Sequence, residues 1–190
     1  VSLSAIKVRV HRGRRRLRQL LTAPPIQTTE VPMIEVFVKD MVRLFKTQEE
    51  VDADKGHYVV MLQEKTGERL LPIWIGPCEA NFITVQLQGA EIGRPLSFDL
   101  TKTLLDIGQM RVKRAIVSKI HETIFYGTLE VATADGQQTD VDCRPSDAIT
   151  LAIRLNAPIF VAPEVMETAS RTEADLQDKS ITELASVLHI

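Results

Sequence analysis

The chain has 190 residues, 44% of them hydrophobic and 25% charged, which is enough apolar material for one domain with a real core and too little length for two full domains with tails. No apolar run approaches the roughly 18 residues that a membrane-spanning helix needs. The net charge of −2 hides an asymmetry: residues 1–32 carry seven Lys or Arg against one acid, while the remainder carries 16 basic and 24 acidic residues, a net −8 that predicts no long-range attraction to nucleic acid.

Residues 1–32 are Arg-rich, and Pro24-Pro25 stops any helix there. A like-charge run without apolar periodicity does not pack, so the expectation is a disordered basic extension; the other reading is an arm that grips phosphates. From Met33 the pattern changes. Ile34, Val36 and Val38 alternate with Glu35, Phe37 and Lys39, which predicts a strand running to Phe45. Gln48 to Gly56 reads as a polar loop. Tyr58 to Leu62 is a continuous apolar run, a strand buried on both faces, and Lys65-Thr66-Gly67-Glu68 turns it into a hairpin with Leu70 to Ile75.

Gly76-Pro77 breaks that strand, and Ala80, Phe82, Ile83, Val85 and Leu87 predict a largely buried helix ending near Gly89. A second helix, capped by Ser97 or Asp99, carries Leu100, Leu104 and Ile107 and closes at Gly108. Arg111 to Ile120 and Ile124 to Thr133 read as strands around His121-Glu122-Thr123, and Asp135-Gly136 turns the chain into a return strand from Gln138 to Cys143. Pro145 opens a helix whose apolar face is Ala148, Ile149, Leu151, Ala152 and Leu155. Pro158 to Val161 is a last short strand. A polar tail follows from about residue 167, with helix signals at Leu184, Val187 and Leu188. The fold class expected is α+β: a mixed β-sheet with helices packed on it, in one compact domain over residues 33–166.

Cys78 and Cys143 sit far apart with no CxxC spacing, which speaks against a zinc site or a disulfide framework and fits a reducing, cytoplasmic setting. The carboxylates are more informative. Asp140, Asp142 and Arg144 fall at i, i+2 and i+4, so alternation puts them on one strand face. Asp147 follows in the first helical turn, which gathers Asp142, Arg144, Ser146 and Asp147 at a strand-to-helix junction with free backbone N–H groups and a positive helix end. Carboxylates there can hold magnesium or manganese, an arginine can clamp phosphate, and a metal-bound water can attack a phosphodiester. The competing account is purely structural: Ser146 and Asp147 cap the helix and Arg144 pairs with Asp142. Glu79 and Asp99 carry the same two readings, ligand or helix-start acid.

Several of these segments resemble the bifunctional nuclease domain family. Leu71-Pro72-Ile73-Trp74-Ile75-Gly76, followed by Glu79-Ala80, resembles its "LPIWIG" and "EA" segment. Arg94-Pro95-Leu96-Ser97-Phe98-Asp99-Leu100 resembles "RPLTHDL", with Phe98 where the family has His. Thr123 to Gly127 resembles "TFYA", Asp142 to Ile149 resembles "DxRPSDAI", and Ala157 to Val161 resembles "APIYV". Five motifs in the expected order are far more specific than one short pattern.

The resemblance implies a nuclease acting on DNA and RNA, because plant members carry both activities, and a homodimer. Carried over position by position, it marks Glu79, Arg94, Asp99, Asp142, Arg144, Ser146 and Asp147 as candidate site positions; joined to the carboxylate reading above, the expectation is catalytic roles for Glu79, Asp142, Arg144 and Asp147, substrate binding by Arg94 and Ser146, and a divalent magnesium or manganese ion on Asp99, Asp142 and Asp147. Two alternatives remain open: a non-catalytic dimeric binding or regulatory module of the same fold, and a hydrolase of small phosphorylated molecules. No membrane partner is expected.

Overall fold

The computed structural model describes residues 32–45, 56–90 and 92–177. The expected basic extension, most of the loop after Gln48 and the expected helix at Leu184 to Leu188 lie outside the described residues. The chain divides into two units, Val1–Pro32 and Met33–Ile190, and the second carries every described helix and strand.

Its elements run β1 (Ile34–Leu44), β2 (His57–Glu64), β3 (Leu70–Ile75), α1 (Pro77–Gln88), α2 (Ser97–Ile107), β4 (Arg111–His121), β5 (Ile124–Ala132), β6 (Gln138–Cys143), α3 (Pro145–Leu155), β7 (Ile159–Val161), α4 (Pro163–Ala169) and α5 (Glu173–Gln177). The seven strands form one mixed sheet in the order β3-β2-β1-β7-β4-β5-β6. Only β4 and β7 pair in parallel among the described strands; all other pairs are antiparallel. The architecture is α+β, as expected.

The unbroken apolar run in β2 has a simple cause. β2 lies between β1 and β3, and its side chains alternate between two clusters. Val60 and Leu62 join the main core under the helices, while Val59 and Met61 join a smaller cluster on the opposite face with Leu70, Val42, Leu44, Trp74 and Leu176. Both faces of β2 are covered, so both alternating sets are apolar. Pro72 removes a ladder donor, which β3 tolerates because it is an edge strand pairing with β2 alone.

α3 is the central helix of the main core. Ala148, Ile149 and Ala152 are fully buried, and burying a side chain of Ile size stabilises by about 1.5–3 kcal/mol. Its one fully enclosed hydroxyl, on Thr150, donates to the Ser146 carbonyl at 2.6 Å. Asn156 ends the helix in the left-handed conformation, with φ at 53°. The fold continues beyond the expected end at Met166: Ala169 is buried, Arg171 bridges Leu70 of β3, and Leu176 packs on the smaller cluster.

Two helices depart from expectation. α1 fully buries only Ala80 and Ile83; it packs against α3 and β2 with its remaining residues half-buried or exposed. α2 buries no residue. Its Phe98 turns inward to pack edge-on against Phe82, with ring centroids 5.3 Å apart, while Leu100, Leu104 and Ile107 point outward, 58%, 56% and 74% exposed. The apolar stripe is a helical face, as its spacing predicts, but it is not the face that meets this core.

Candidate functional site

α1 and α3 start in the same way. Each is preceded by an extended residue, Gly76 or Arg144, and each has Pro at its first position, where the missing N–H has no helical partner in any case. Neither start has a side-chain cap. Each has one acid in the first turn, Glu79 or Asp147, where the helix dipole favours negative charge.

The two starts follow strands at opposite edges of the sheet, β3 and β6, yet their side chains meet, so the sheet curls around α3. Arg144 makes the junction. Its Nε donates to Asp147 Oδ2 at 2.9 Å and its Nη2 to Asp147 Oδ1 at 3.1 Å, a bidentate fork. Its Nη1 donates to Glu79 Oε1 at 2.5 Å, across 65 residues of sequence. Glu79 and Asp147 are 20% and 30% exposed at the side chain, whereas Arg144 is 65% exposed. Three of the five guanidinium N–H groups are therefore engaged, and two are left on the exposed side.

The electrostatics follow from these contacts. Hydrogen bonds to Asp147 and Glu79 push the Arg144 guanidinium above its ordinary value. Its own backbone N–H, and then Arg144, hold the Glu79 carboxyl below the usual carboxylate range, against the opposing effect of burial. Glu79 is a firmly ionised anchor and a weak general base. The Cys143 thiol is pushed up to about 11 by burial and by the charges of Asp147 and Asp142, so it is protonated at neutral pH and not a ready nucleophile.

Two glycines make room for this arrangement. The Glu79 carboxylate lies over Gly76, in the space where a Cβ would stand. Gly127 of β5 lets the Arg144-Pro145 backbone approach closely: a Cβ there would lie 2.9 Å from Arg144 C and Pro145 N. Because Gly76 has ordinary extended backbone (φ −74°, ψ 165°), Gly76→Ala should fold normally. It should displace the Glu79 carboxylate from Arg144 and leave Tm within about 2 °C of the parent, which a melting curve checks.

The other expected site residues lie elsewhere. Asp142 faces Thr128 across the β5–β6 ladder, and Cys143 faces Gly127. Asp142 therefore points to the sheet face opposite α3, away from Arg144 and Asp147. Asp99 accepts the Leu96 backbone N–H at 2.8 Å and the Arg154 Nε at 2.7 Å. Since Leu96 has no side-chain acceptor, only the carboxylate half of a capping box exists there. Arg154 lies ten residues beyond Arg144 on α3, about 15 Å along the helix axis. Arg94 is exposed in the loop before α2, five residues ahead of Asp99. Ser146 is 5% exposed, enclosed in the start of α3.

Asp99, Asp142 and Asp147 thus occupy three separate places, and the residues present do not fit a cation held by that set. Among the described residues, no group of three or more His, Cys, Asp or Glu side chains is placed to hold a metal ion. The residues missed in the sequence are Gly76, Gly127 and Arg154; for Gly76 the signal was a glycine beside the helix-starting Pro77, and Gly127 meets Arg144 and Pro145 only in the folded chain.

These contacts give acid sensitivity with a definite sign. The Leu96 N–H and then Arg154 hold Asp99 low, and Glu79 is also held low. A carboxylate whose folded-state pKa is depressed contributes stability that is fully present above its unfolded value, near pH 4, and lost as pH falls through the folded value. Tm should be flat from neutral pH to about 5 and fall below about 4; Glu79→Gln should flatten part of that fall.

Comparison with known proteins points in one direction. A family model described as "Bifunctional nuclease domain" matches residues 60–174. An uncharacterized protein of Mycobacterium tuberculosis (strain CDC 1551 / Oshkosh) is 33% identical over 132 residues, 70% of this chain and 78% of that protein. Bifunctional nuclease 1 of Oryza sativa subsp. indica is 25% identical over 112 residues, 58% of this chain and 34% of that protein. Bifunctional nuclease 1 of Arabidopsis thaliana is 29% identical over 105 residues, 54% of this chain and 32% of that protein. Among the described residues, no helix is long and apolar enough to cross a membrane.

Proposed function

The chain belongs to the bifunctional nuclease domain family, and on that premise we propose that it hydrolyses phosphodiester bonds of DNA and RNA at the paired helix starts around Arg144. One observation carries this reading. Arg144 is fixed by three hydrogen bonds to two carboxylates on two helices, while most of its surface stays open to solvent. An arginine that only holds the fold together has no need of that exposure.

Of the two remaining N–H groups one is on Nη1 and one on Nη2, and both can donate to phosphate oxygens. Held rigidly, they stabilise charge that grows on the phosphate as water adds and the ester oxygen leaves. Glu79 and Asp147 act through Arg144 as positioning residues: they fix the plane of the guanidinium before substrate arrives.

The test is cleavage of labelled single-stranded DNA, duplex DNA and RNA by the full chain, with chelator, with magnesium and with manganese. Cleavage of DNA and RNA supports the reading, and its response to chelator decides whether a cation takes part. A second reading, a non-catalytic dimeric module, is favoured by the bare Leu100, Leu104 and Ile107 stripe of α2, which a second copy of the chain would cover. Absence of cleavage under every condition, together with a dimer that Leu104→Glu dissociates, would replace the first reading with the second.

A further inference from the structure

β4 carries Arg111, Lys113, Arg114 and Lys119 and no acid, in a body that is otherwise acidic. Its register sorts these side chains. Val112, Ala115 and Val117 lie opposite Val131, Leu129 and Gly127, on the face that joins the main core. Arg111, Arg114 and Lys119 lie opposite Ala132, Glu130 and Tyr126, on the other face. The ladder shifts between Val112 and Arg114 and again between Val117 and Lys119, and such bulges re-aim side chains.

Aromatic rings stand beside these cations. The Arg114 guanidinium lies 5.6 Å from the centroid of Phe160, and the Lys119 ammonium 5.7 Å from that of Tyr126. Tyr126 is 38% exposed, and Phe37, near Phe160 on the same sheet face, is 42% exposed. The acids of this face are Glu130, held by Arg114 Nε at 2.7 Å, Glu35, which lies opposite Phe160 and is paired with Lys65, and Asp140 and Asp142 on edge strand β6, beyond β5. The path has a direction as well. Val117 pairs with Gly127, and Gly127 touches the Arg144-Pro145 backbone from the core face, so the Lys119–Tyr126 end of the track is the end nearer the candidate site, which lies across the sheet on the α3 side.

Cations on one strand, each beside a ring from a neighbouring strand (Phe160 of β7 by Arg114, Tyr126 of β5 by Lys119), suit a polymer that carries both phosphates and bases. Every base offers a π-face to an aromatic side chain, but only an unpaired strand can splay its bases onto a sheet. We infer that this face of β4, β5 and β7 is a track for single-stranded nucleic acid, running from Arg111 to Lys119 and Tyr126 and bringing the strand to the β6 edge of the sheet, around which it passes to reach Arg144 on the α3 side. The inference rests on the nuclease reading for its direction, not for its binding chemistry. It also accounts for how a body of net −8 can engage a polyanion, because the positive field is confined to one strand.

The test is equilibrium binding by fluorescence anisotropy, with the full chain, a labelled cleavage-resistant phosphorothioate oligothymidylate and a duplex of equal length, over a range of salt. The single strand should bind more tightly than the duplex. Tyr126→Ala should weaken single-strand binding roughly tenfold, the effect of one lost stacking contact. Lys119→Ala should lower the slope of log K against log salt by about 0.7, one phosphate contact. Variants that bind the single strand as the parent does, or a parent that prefers the duplex, would overturn the track. Cleavage of the unmodified strand by the same protein preparations keeps the two claims apart. Cleavage by the parent with unaltered binding by the variants removes the track and leaves the nuclease reading. Face-dependent binding with no cleavage does the reverse.

Discussion

Replacing Arg144 by Ala should reduce cleavage of DNA and RNA by roughly 10²–10³-fold, the usual cost of removing one preorganised donor to developing charge. The fold should survive. Arg144 is largely exposed, and its ion pairs to the partly exposed Glu79 and Asp147 lie at the surface, where such pairs contribute little. The substitution does remove Arg144 from the contacts that hold the Glu79 carboxyl low. The variant should therefore be slightly more tolerant of acid than the parent while cleaving far less. A melting curve and a cleavage assay on the same sample check both halves. Near-parental cleavage by a folded Arg144→Ala protein would remove Arg144 from the reaction.

The second large effect is on stability. Gly127→Val should destabilise the fold by roughly 2–3 kcal/mol, the cost of overpacking a closed site, and lower Tm by roughly 4–12 °C for a chain of this size. The atoms that a new side chain would strike are Arg144 C and O and Pro145 N. They belong to backbone at the start of α3 and cannot rotate aside as a side-chain tip can. Relief requires α3 to move off β5, which carries Arg144 with it. Gly127→Val should therefore lose cleavage as well, whereas Gly76→Ala should lose cleavage alone. That contrast separates displacement of a carboxylate from displacement of a helix.

Much of the fold was legible because its signals are local. β1 follows period-two alternation, the β2–β3 hairpin shows as two apolar runs and the β5–β6 hairpin as two strand-like runs, each pair with turn residues between its arms, and α3 announces itself by Pro145 and a 3.6-residue apolar face. α2 was only half legible. Leu100, Leu104 and Ile107 define a helical stripe whichever way the helix is turned, and nothing in their spacing says that Phe98 faces the core instead. Phe98 stands where the family has His, and its role here is packing on Phe82.

The candidate site divides in the same way. Alternation correctly put Asp140 and Asp142 on one strand face, but it could not say which face α3 would cover. Arg144 lies past the last strand residue, so alternation no longer governs it; as the N-cap residue of α3 it turns toward Asp147. Its partnership with Glu79 depends on the curl that brings two sheet edges together, a tertiary property with no local spacing. The repeated motif of a turn residue, proline and first-turn acid, at Gly76-Pro77-Cys78-Glu79 and at Arg144-Pro145-Ser146-Asp147, was the readable trace of it.

The most direct test of the central claim is cleavage by Arg144→Lys beside the parent, at matched protein concentration and salt. If the forked guanidinium is what acts on the phosphate, Lys keeps the charge but cannot hold Asp147 bidentately, reach Glu79 and present two further donors. The account predicts that Arg144→Lys retains the parental Tm and loses at least about tenfold in kcat/KM, roughly 1.4 kcal/mol of transition-state stabilisation. Parental kcat/KM in Arg144→Lys would contradict it, because a point charge would then suffice and the geometry of the paired helix starts would have no part in the reaction.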